Sequence, residues 1–448
     1  MNAKMKLLGL TGMMSLMLVS CSKDEVVASY PGDEIVFNTR VTRATETTTS
    51  TLTKIRVYAD ALNYPTMFIN GDVAEKKDNN GYFKFSKNYY WPNDVNTIRF
   101  WSYGPADIFT EQEIKNHVKI DARSQQFTDC TPLSGVNNPG KEHKDLVVAY
   151  TSANRHNDEN VSGSNVKLAF HHAFTQIVVK AKNGGASDDD SKTIKIKGAW
   201  IVNVKPTGDL VFTEDAVSNN YMSWVAKGEK TYYGLSYADN QEVPLSHAYV
   251  SLIGADKDNS SLMLVPQKLD KWDLETDKSN SKNGAYILLL CRIEIKHAGA
   301  LHPDGDTSND PVISDGEYHY HQLFPVSGTY NANAYGYTCV PIDTEWLPGK
   351  KYVYNLEFCG AESGAGIYPP ALPEEFPSGE NVIPDRPEGR RYGAGRPDFV
   401  QGCVGRVDRC RCDGGGDPLD VNPPKYLSRK PGTTLRSGRS FGSVRTAL

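Results

Sequence analysis

Long apolar runs are missing from this chain. The one near its start, Leu7 to Val19, stops at thirteen residues, short of the ~20 that a helix needs to cross a hydrocarbon layer of about 30 Å. No transmembrane anchor is therefore expected there. Clean 3.6-residue periodicity is missing as well, which counts against helical packing. Phosphate loop, dinucleotide fingerprint and zinc-protease helix are all absent. No catalytic residue, cofactor or metal ligand is assigned, and an enzyme is not expected. A net charge of −5 offers none of the basic footprint that nucleic acid requires. Of the eight cysteines, Cys130, Cys291, Cys339 and Cys359 stand singly. No spacing among them implies a disulfide framework, and buried free thiols are expected.

What the chain does have begins at Lys4 and Lys6, which precede the short apolar run as the charged region of a secretory signal. The run closes on Leu18, Val19, Ser20 and Cys21, a lipobox in which small residues precede a cysteine. Its nucleophilic sulfur makes Cys21 the candidate for lipidation, by palmitate and related acyl chains, and for the new N-terminus. The alternative is an ordinary signal peptide with a cysteine at its cleavage site by chance. Ser22-Lys23-Asp24-Glu25 follows at once.

Tyrosine is abundant at 24 residues while hydrophobic residues reach only 39%, a mix suited to half-buried strands. Glu34 to Thr39 reads as a short strand. Arg40, Arg43 and a tract from Ala44 to Thr53, made almost wholly of Thr, Ser and Glu, come next. Such a tract buries too little apolar area to offset its ordering entropy. It is expected to be mobile, which leaves Arg43-Ala44 open to an Arg-specific protease, with Arg40 as second choice. The alternative is that these arginines only solvate a linker.

From Lys54 onward short strand candidates alternate with Asn, Asp, Gly and Pro. Lys54 to Ala59 and Thr97 to Tyr103 alternate with period two, and Asn79-Asn80-Gly81 before Tyr82 to Phe85 predicts a hairpin. The aromatics of these strands are expected to fill a core rather than bind sugar. Leu146 to Tyr150 reads as a buried strand. Gly184 to Asp190 breaks the pattern and marks the predicted domain boundary. Strands resume at Thr193 to Val204, Leu262 to Val265, Ala285 to Ile295, Tyr335 to Pro341 and Tyr352 to Phe358. The expected fold class is all-β, with two tandem antiparallel β-sandwich domains. The expected division is a signal over 1–21, a strand and Thr-rich linker over 22–53, sandwiches over 54–187 and 188–385, and a tail over 386–448.

The tail differs in chemistry: residues 1–385 hold 29 Lys and 7 Arg, residues 386–448 hold 2 Lys and 11 Arg. Strand periodicity is lost there, and a disordered tail, out of frame or foreign to the rest, is expected. Gly438-Arg439-Ser440-Phe441-Gly442 matches a nucleophile elbow in letters only, with no strand before it and no histidine after it. His319-Tyr320-His321 places two imidazoles on one side of a strand. Two ligands make no zinc site, so exposed strand histidines are expected. Asp304, Asp306 and Asp310 fit a calcium loop poorly, since Asn309 stands where glycine belongs and Asp315 where glutamate does.

Taken together, the lipobox, the Arg-Ala junction and the β pattern resemble the fimbrillin family of Bacteroidales pilin-like lipoproteins. Further stretches carry the resemblance: Tyr89-Tyr90-Trp91-Pro92, Phe170 to Gln176, Leu264-Val265-Pro266-Gln267, and above all Pro341 to Tyr354, continuing to Pro370. Ser22 to Glu25 resembles the family's export tag for the outer face of the outer membrane. The resemblance implies transthyretin-like sandwich domains, lipidation of Cys21 and cleavage at Arg43-Ala44. It also implies assembly with other fimbrial subunits by strand exchange, in which loss of Glu34 to Arg43 opens a groove for a partner's strand. The expected location is the cell outer membrane and its fimbriae, with a host or glycan ligand for an adhesive subunit. A monomeric surface lipoprotein that binds glycans is the second reading.

Overall fold

The computed structural model describes residues 34–41, 47–62, 64–77, 81–92, 94–132, 145–155, 161–162, 165–185, 192–212, 222–254, 262–270, 284–298, 312–325, 330–359 and 406–410. Strands in the first part are Val36–Val41 (β1), Lys54–Ala61 (β2), Ile69–Lys76 (β3), Tyr82–Phe85 (β4) and Thr97–Gly104 (β5). After the helix Glu111–His117 (α1) come Val118–Ile120 (β6), Gln125–Cys130 (β7), Val147–Asn154 (β8), Val161–Ser162 (β9), Asn165–His172 (β10) and Thr175–Asn183 (β11). The middle holds Lys192–Val204 (β12), Thr207–Phe212 (β13), Met222–Lys227 (β14), Thr231–Ser236 (β15), Val243–Pro244 (β16), Val250–Ile253 (β17) and Leu262–Leu264 (β18). The last are Tyr286–Ala298 (β19), Val312–Ser314 (β20), Tyr318–Phe324 (β21), Gly336–Pro341 (β22), Lys351–Phe358 (β23) and Arg406–Cys410 (β24). The fold is all-β, as the composition and period-two pattern predict. Among the described residues α1 is the only helix, held at its start by a capping box between Thr110 and Glu113.

The first sheet runs β1-β4-β3-β2-β5-β8-β10-β9, and β1 also pairs with β10, so the sheet closes on itself. Alternation along β5 shows how it is filled: Ile98 and Phe100 enter the inner core, while Trp101 and Tyr103 face a second core outside. That outer core is covered by a sheet in the order β14-β13-β7-β6. Phe127 of β7 packs there between Tyr103 and Phe212, at centroid distances of 5.4 and 5.7 Å. Burial on both faces explains the near-continuous apolar run at Leu146 to Ala149. Most aromatics expected to fill cores do so: Trp91, Phe100, Trp101 and Tyr103 are buried, whereas Tyr90 is exposed at 56%.

The third core lies between two sheets, one ordered β17-β11-β23-β24 with β18 on β11, the other β15-β12-β19-β21-β20 with β16 and β22 alongside. Ile177, Val179 and Leu356 meet Ile194, Ile287 and Leu289 across it. Two pairings are parallel where antiparallel ones are expected: β1 with β10 and β11 with β23. These partners stand far apart in the chain, and no hairpin turn dictates their direction. The chain leaves the closed sheet after His172 and enters the sandwich at Thr175, a strand before the Gly184 to Asp190 break.

The stretch Pro341 to Tyr354 works as a tie. Trp346 is buried, its Nε1–H donates to Tyr354 Oη at 2.9 Å, and Leu347 N–H donates to Tyr352 Oη at 3.0 Å. Gly349 adopts φ +65° and donates its N–H to Phe174 O at 2.9 Å. A Cβ there would sit 3.1 Å from His172 O, so glycine suits both the backbone and the close approach. Gln267 extends the tie, since its carbonyl accepts from Trp346 N–H at 2.9 Å and its side chain accepts from Lys205 N–H at 2.9 Å.

One expectation about the tail is corrected. Arg406–Cys410, in the segment expected to be disordered, pairs antiparallel with β23 through Leu356↔Val407 and Glu357↔Arg406. β11 occupies one edge of β23 and leaves the other with a row of backbone donors and acceptors, which an extended segment satisfies without apolar periodicity. The rest of the tail, with Gly438 to Gly442, lies outside the described residues.

Candidate assembly site

The first strand is held on both sides. β1 runs parallel to β10 in register from Val36↔Asn165 to Val41↔Phe170, and antiparallel to β4 at Phe37↔Phe83 and Asn38↔Tyr82. Ahead of it Ile35 N–H donates to Tyr89 O at 2.7 Å. Ile35, Phe37 and Val41 project into the core of the closed sheet. The Phe37 ring meets Phe85 and Phe100 edge-on, each at 5.6 Å between centroids. Burying a large apolar side chain contributes ~1.5–3 kcal/mol, so these three hold β1 with roughly 5–9 kcal/mol of transfer free energy. Without β1, the backbones of β4 and β10 and the apolar side chains beneath would face solvent.

Downstream, the chain is pinned again at Thr47. Its N–H donates to Asp145 Oδ2 at 2.8 Å, and its hydroxyl donates to Asp145 O at 3.4 Å. Asp145 also faces His172, whose Nδ1 lies 3.0 and 3.1 Å from the two carboxylate oxygens. Asp145 and His172 are both buried, so the carboxylate anchors Thr47 from inside the protein. Beside it His171 is held below the usual imidazole range, first by burial and then by its neighbour His172. The anchored stretch continues with Leu52, fully buried, whose N–H donates to Thr48 O at 2.9 Å. Thr49 joins it to β1, its Oγ1 accepting from Val41 N–H at 3.2 Å. The expectation of a mobile tract from Ala44 to Thr53 is thus corrected from Thr47 onward. Composition does not disclose the buried carboxylate that holds it, because Asp145 is 98 residues away.

The positions expected to carry processing stand around this frame. Arg43 and Ala44 lie outside the described residues, in the five-residue interval 42–46 between β1 and Thr47. A cut in that interval removes the covalent link between β1 and the frame it fills. Arg40 has an exposed side chain, but its backbone is inside β1 opposite Ala169. Cleavage there needs the strand to come away first. Leu18, Val19, Ser20 and Cys21 lie outside the described residues, as do Asp304, Asp306 and Asp310. Cys130, Cys291 and Cys339 are buried free thiols, and Cys359 is a half-buried one. His319 and His321, expected to be exposed, are buried at 0% and 4% relative exposure.

An all-β chain with a closed sheet completed by its own first strand is the class defined here. The fimbrillin-like family matches residues 42–288, more than half of the chain, and the protein belongs to that family. Among solved structures it is similar to a fimbrial protein from Bacteroides vulgatus ATCC 8482, at 16% identity and TM-score 0.47, over 72% of this chain and 94% of that one. A candidate cell adhesion protein from Bacteroides uniformis ATCC 8492 matches at 13% identity and TM-score 0.34, over 73% of this chain and 94% of that one. Another from Parabacteroides distasonis ATCC 8503 matches at 10% identity and TM-score 0.37, over 76% and 91%. No curated protein matches the chain.

Proposed function

We propose that the chain is a structural or adhesive subunit of a surface fimbria. In this reading it reaches the outer membrane as a lipoprotein on Cys21, is cut between Arg43 and Ala44, and joins other fimbrial subunits by strand exchange. Its role is non-enzymatic. The same reading divides the chain into two tandem domains, one on the closed sheet and one on the sandwich.

The observation that carries it is the placement of β1. This strand completes a closed sheet, fills its core with Phe37, and ends just before the interval that holds Arg43. Once cut, β1 is retained only by non-covalent contacts, and a partner's strand of like pattern can take over both ladders. A glycan platform finds less support, because Trp91, Trp101 and Tyr103 are buried.

The test compares the chain with its Arg43→Ala variant after exposure to an Arg-specific protease, by electrophoresis without boiling. The wild type is expected to give a ladder of high-mass forms, and the variant none. Equal ladders from uncut Arg43→Ala would refute strand exchange at this slot.

A further inference from the structure

β14 is an edge strand with a cleft along its outer side. In the sheet β14-β13-β7-β6 it pairs with β13, from Thr207↔Lys227 to Phe212↔Met222. Residues of an antiparallel pair point their N–H and C=O groups alternately toward the partner and away from it. Val225 and Lys227 point toward β13: a Cβ on Gly208 would lie 3.1 Å from Val225 O, and Thr207 Oγ1 donates to Lys227 O at 3.4 Å. Trp224 and Ala226 therefore turn their backbone groups outward. Among the described residues one hydrogen bond meets them there, from Lys205 Nζ to Ala226 O at 3.2 Å.

Trp224 and Ala226 line a cleft of about 340 Å³ together with Lys205, Lys230 and residues 266–270. A volume of that order is typical of a binding site. Three lysines, Lys205, Lys230 and Lys268, face it against a single carboxylate, Asp270. The edge is held in place from behind, because the Trp224 ring packs on Phe174 at 5.4 Å between centroids. The other face of β14 differs in chemistry. Val225 is exposed at 61%, and Val211 of β13, diagonal to it, at 39%.

Lysine at a free edge turns most strands away, since an incoming backbone would have to bury its charge. A strand that brings carboxylates to the cleft face neutralises that charge instead. Because side chains alternate along a strand, its other face then lies over Val225 and Val211, where β-branched residues pack across the pair. The same lysines that exclude a neutral or basic strand thus select an acidic one.

We propose that the β14 edge is a docking site for an extended acidic segment of a protein partner, which adds to the sheet as a further strand. Its backbone pairs with Trp224 and Ala226, its aspartate or glutamate side chains enter the cleft beside Lys205 and Lys268, and its β-branched side chains cover Val225. The surface belongs to a different sheet from the β1 slot and needs no cleavage at Arg43.

The test uses the full chain as Arg43→Ala, so that β1 stays in place, with a capped peptide of alternating valine and glutamate as long as β14. Hydrogen exchange read residue by residue is expected to slow by about tenfold or more at the amides of Trp224 and Ala226 under saturating peptide. The amide of Val225, already in the ladder with β13, is expected to keep its rate. Binding should weaken about tenfold in Lys268→Glu, at an exposed position, and should fall with added salt. A peptide with lysine in place of glutamate should protect neither amide. Glucuronate, a carboxylate without a strand backbone, serves as the competing probe and should bind less tightly than the acidic peptide. The proposal is overturned if the acidic peptide leaves Trp224 and Ala226 unprotected, if the lysine peptide protects them equally, or if Lys268→Glu binds as well as its parent. Tighter binding of glucuronate than of peptide would also overturn it, by making the cleft a site for an acidic sugar.

Discussion

Replacing Phe37 with alanine tests whether β1 is a removable plug. Phe37 is fully buried, touches Phe85 and Phe100, and sits where β1 pairs with both β4 and β10. A Phe→Ala change in such a core costs ~3–5 kcal/mol through lost transfer energy and the cavity left behind. In the uncut chain this cost should fall on the opening that detaches β1, because Phe37 is that strand's main apolar anchor. At 1.4 kcal/mol per tenfold, amides of β10 and β4 that face β1 should exchange roughly 10²- to 4 × 10³-fold faster in Phe37→Ala. Amides of β12 and β19, in the sandwich, should keep their wild-type rates. Hydrogen exchange read by mass spectrometry measures both in one sample. The contrast comes after cleavage at Arg43: once β1 has left, wild type and variant should exchange alike, since the altered residue is no longer in the protein. A Phe37→Ala effect that survives cleavage and strand release, or one spread equally over the sandwich, would refute the idea that β1 is an independent plug.

Other outcomes follow from the same contacts. Asp145→Ala should cost ~3–5 kcal/mol, as removal of one member of a buried pair does, and should make residues 47–53 newly sensitive to limited proteolysis; unaltered cleavage there would show that Asp145 does not hold the tract. Deletion of Arg386 to Leu448 should raise exchange at the amide of the Leu356–Glu357 pair that faces β24 and leave the one facing β11 protected, because β24 covers only that edge of β23; unchanged protection at both would remove β24 from the sheet. Cys21→Ala should abolish detergent-phase partitioning while leaving the circular dichroism spectrum intact, because acyl chains at ~0.8 kcal/mol per buried methylene, two or more together, supply the anchor. Partitioning that persists would rule out lipidation as the anchor.

Period-two alternation was legible in the sequence because side chains of a strand alternate whatever the sheet around them. The strand over Tyr82–Phe85 was predicted at those bounds, and the strand at Thr97 to within one residue. Legible too was the apolar first strand, though its bounds moved to Val36–Val41. Composition misjudged Thr47 to Thr53 and Arg406–Cys410 for a common reason: each is held by a partner remote in sequence, Asp145 for Thr47 and the open edge of β23 for Arg406–Cys410. Local patterning reports which way a side chain faces and says nothing about what it meets. The closure of the first sheet through β1 and β10 depends on a parallel pairing across more than 120 residues, for which no turn residue gives a signal. His319 and His321 share a face by local geometry alone, so that pair belongs to the sequence. His297 joins them only through the register of β19 on β21, and register is decided by the packing of a whole sheet face against its core, which no short stretch of sequence contains.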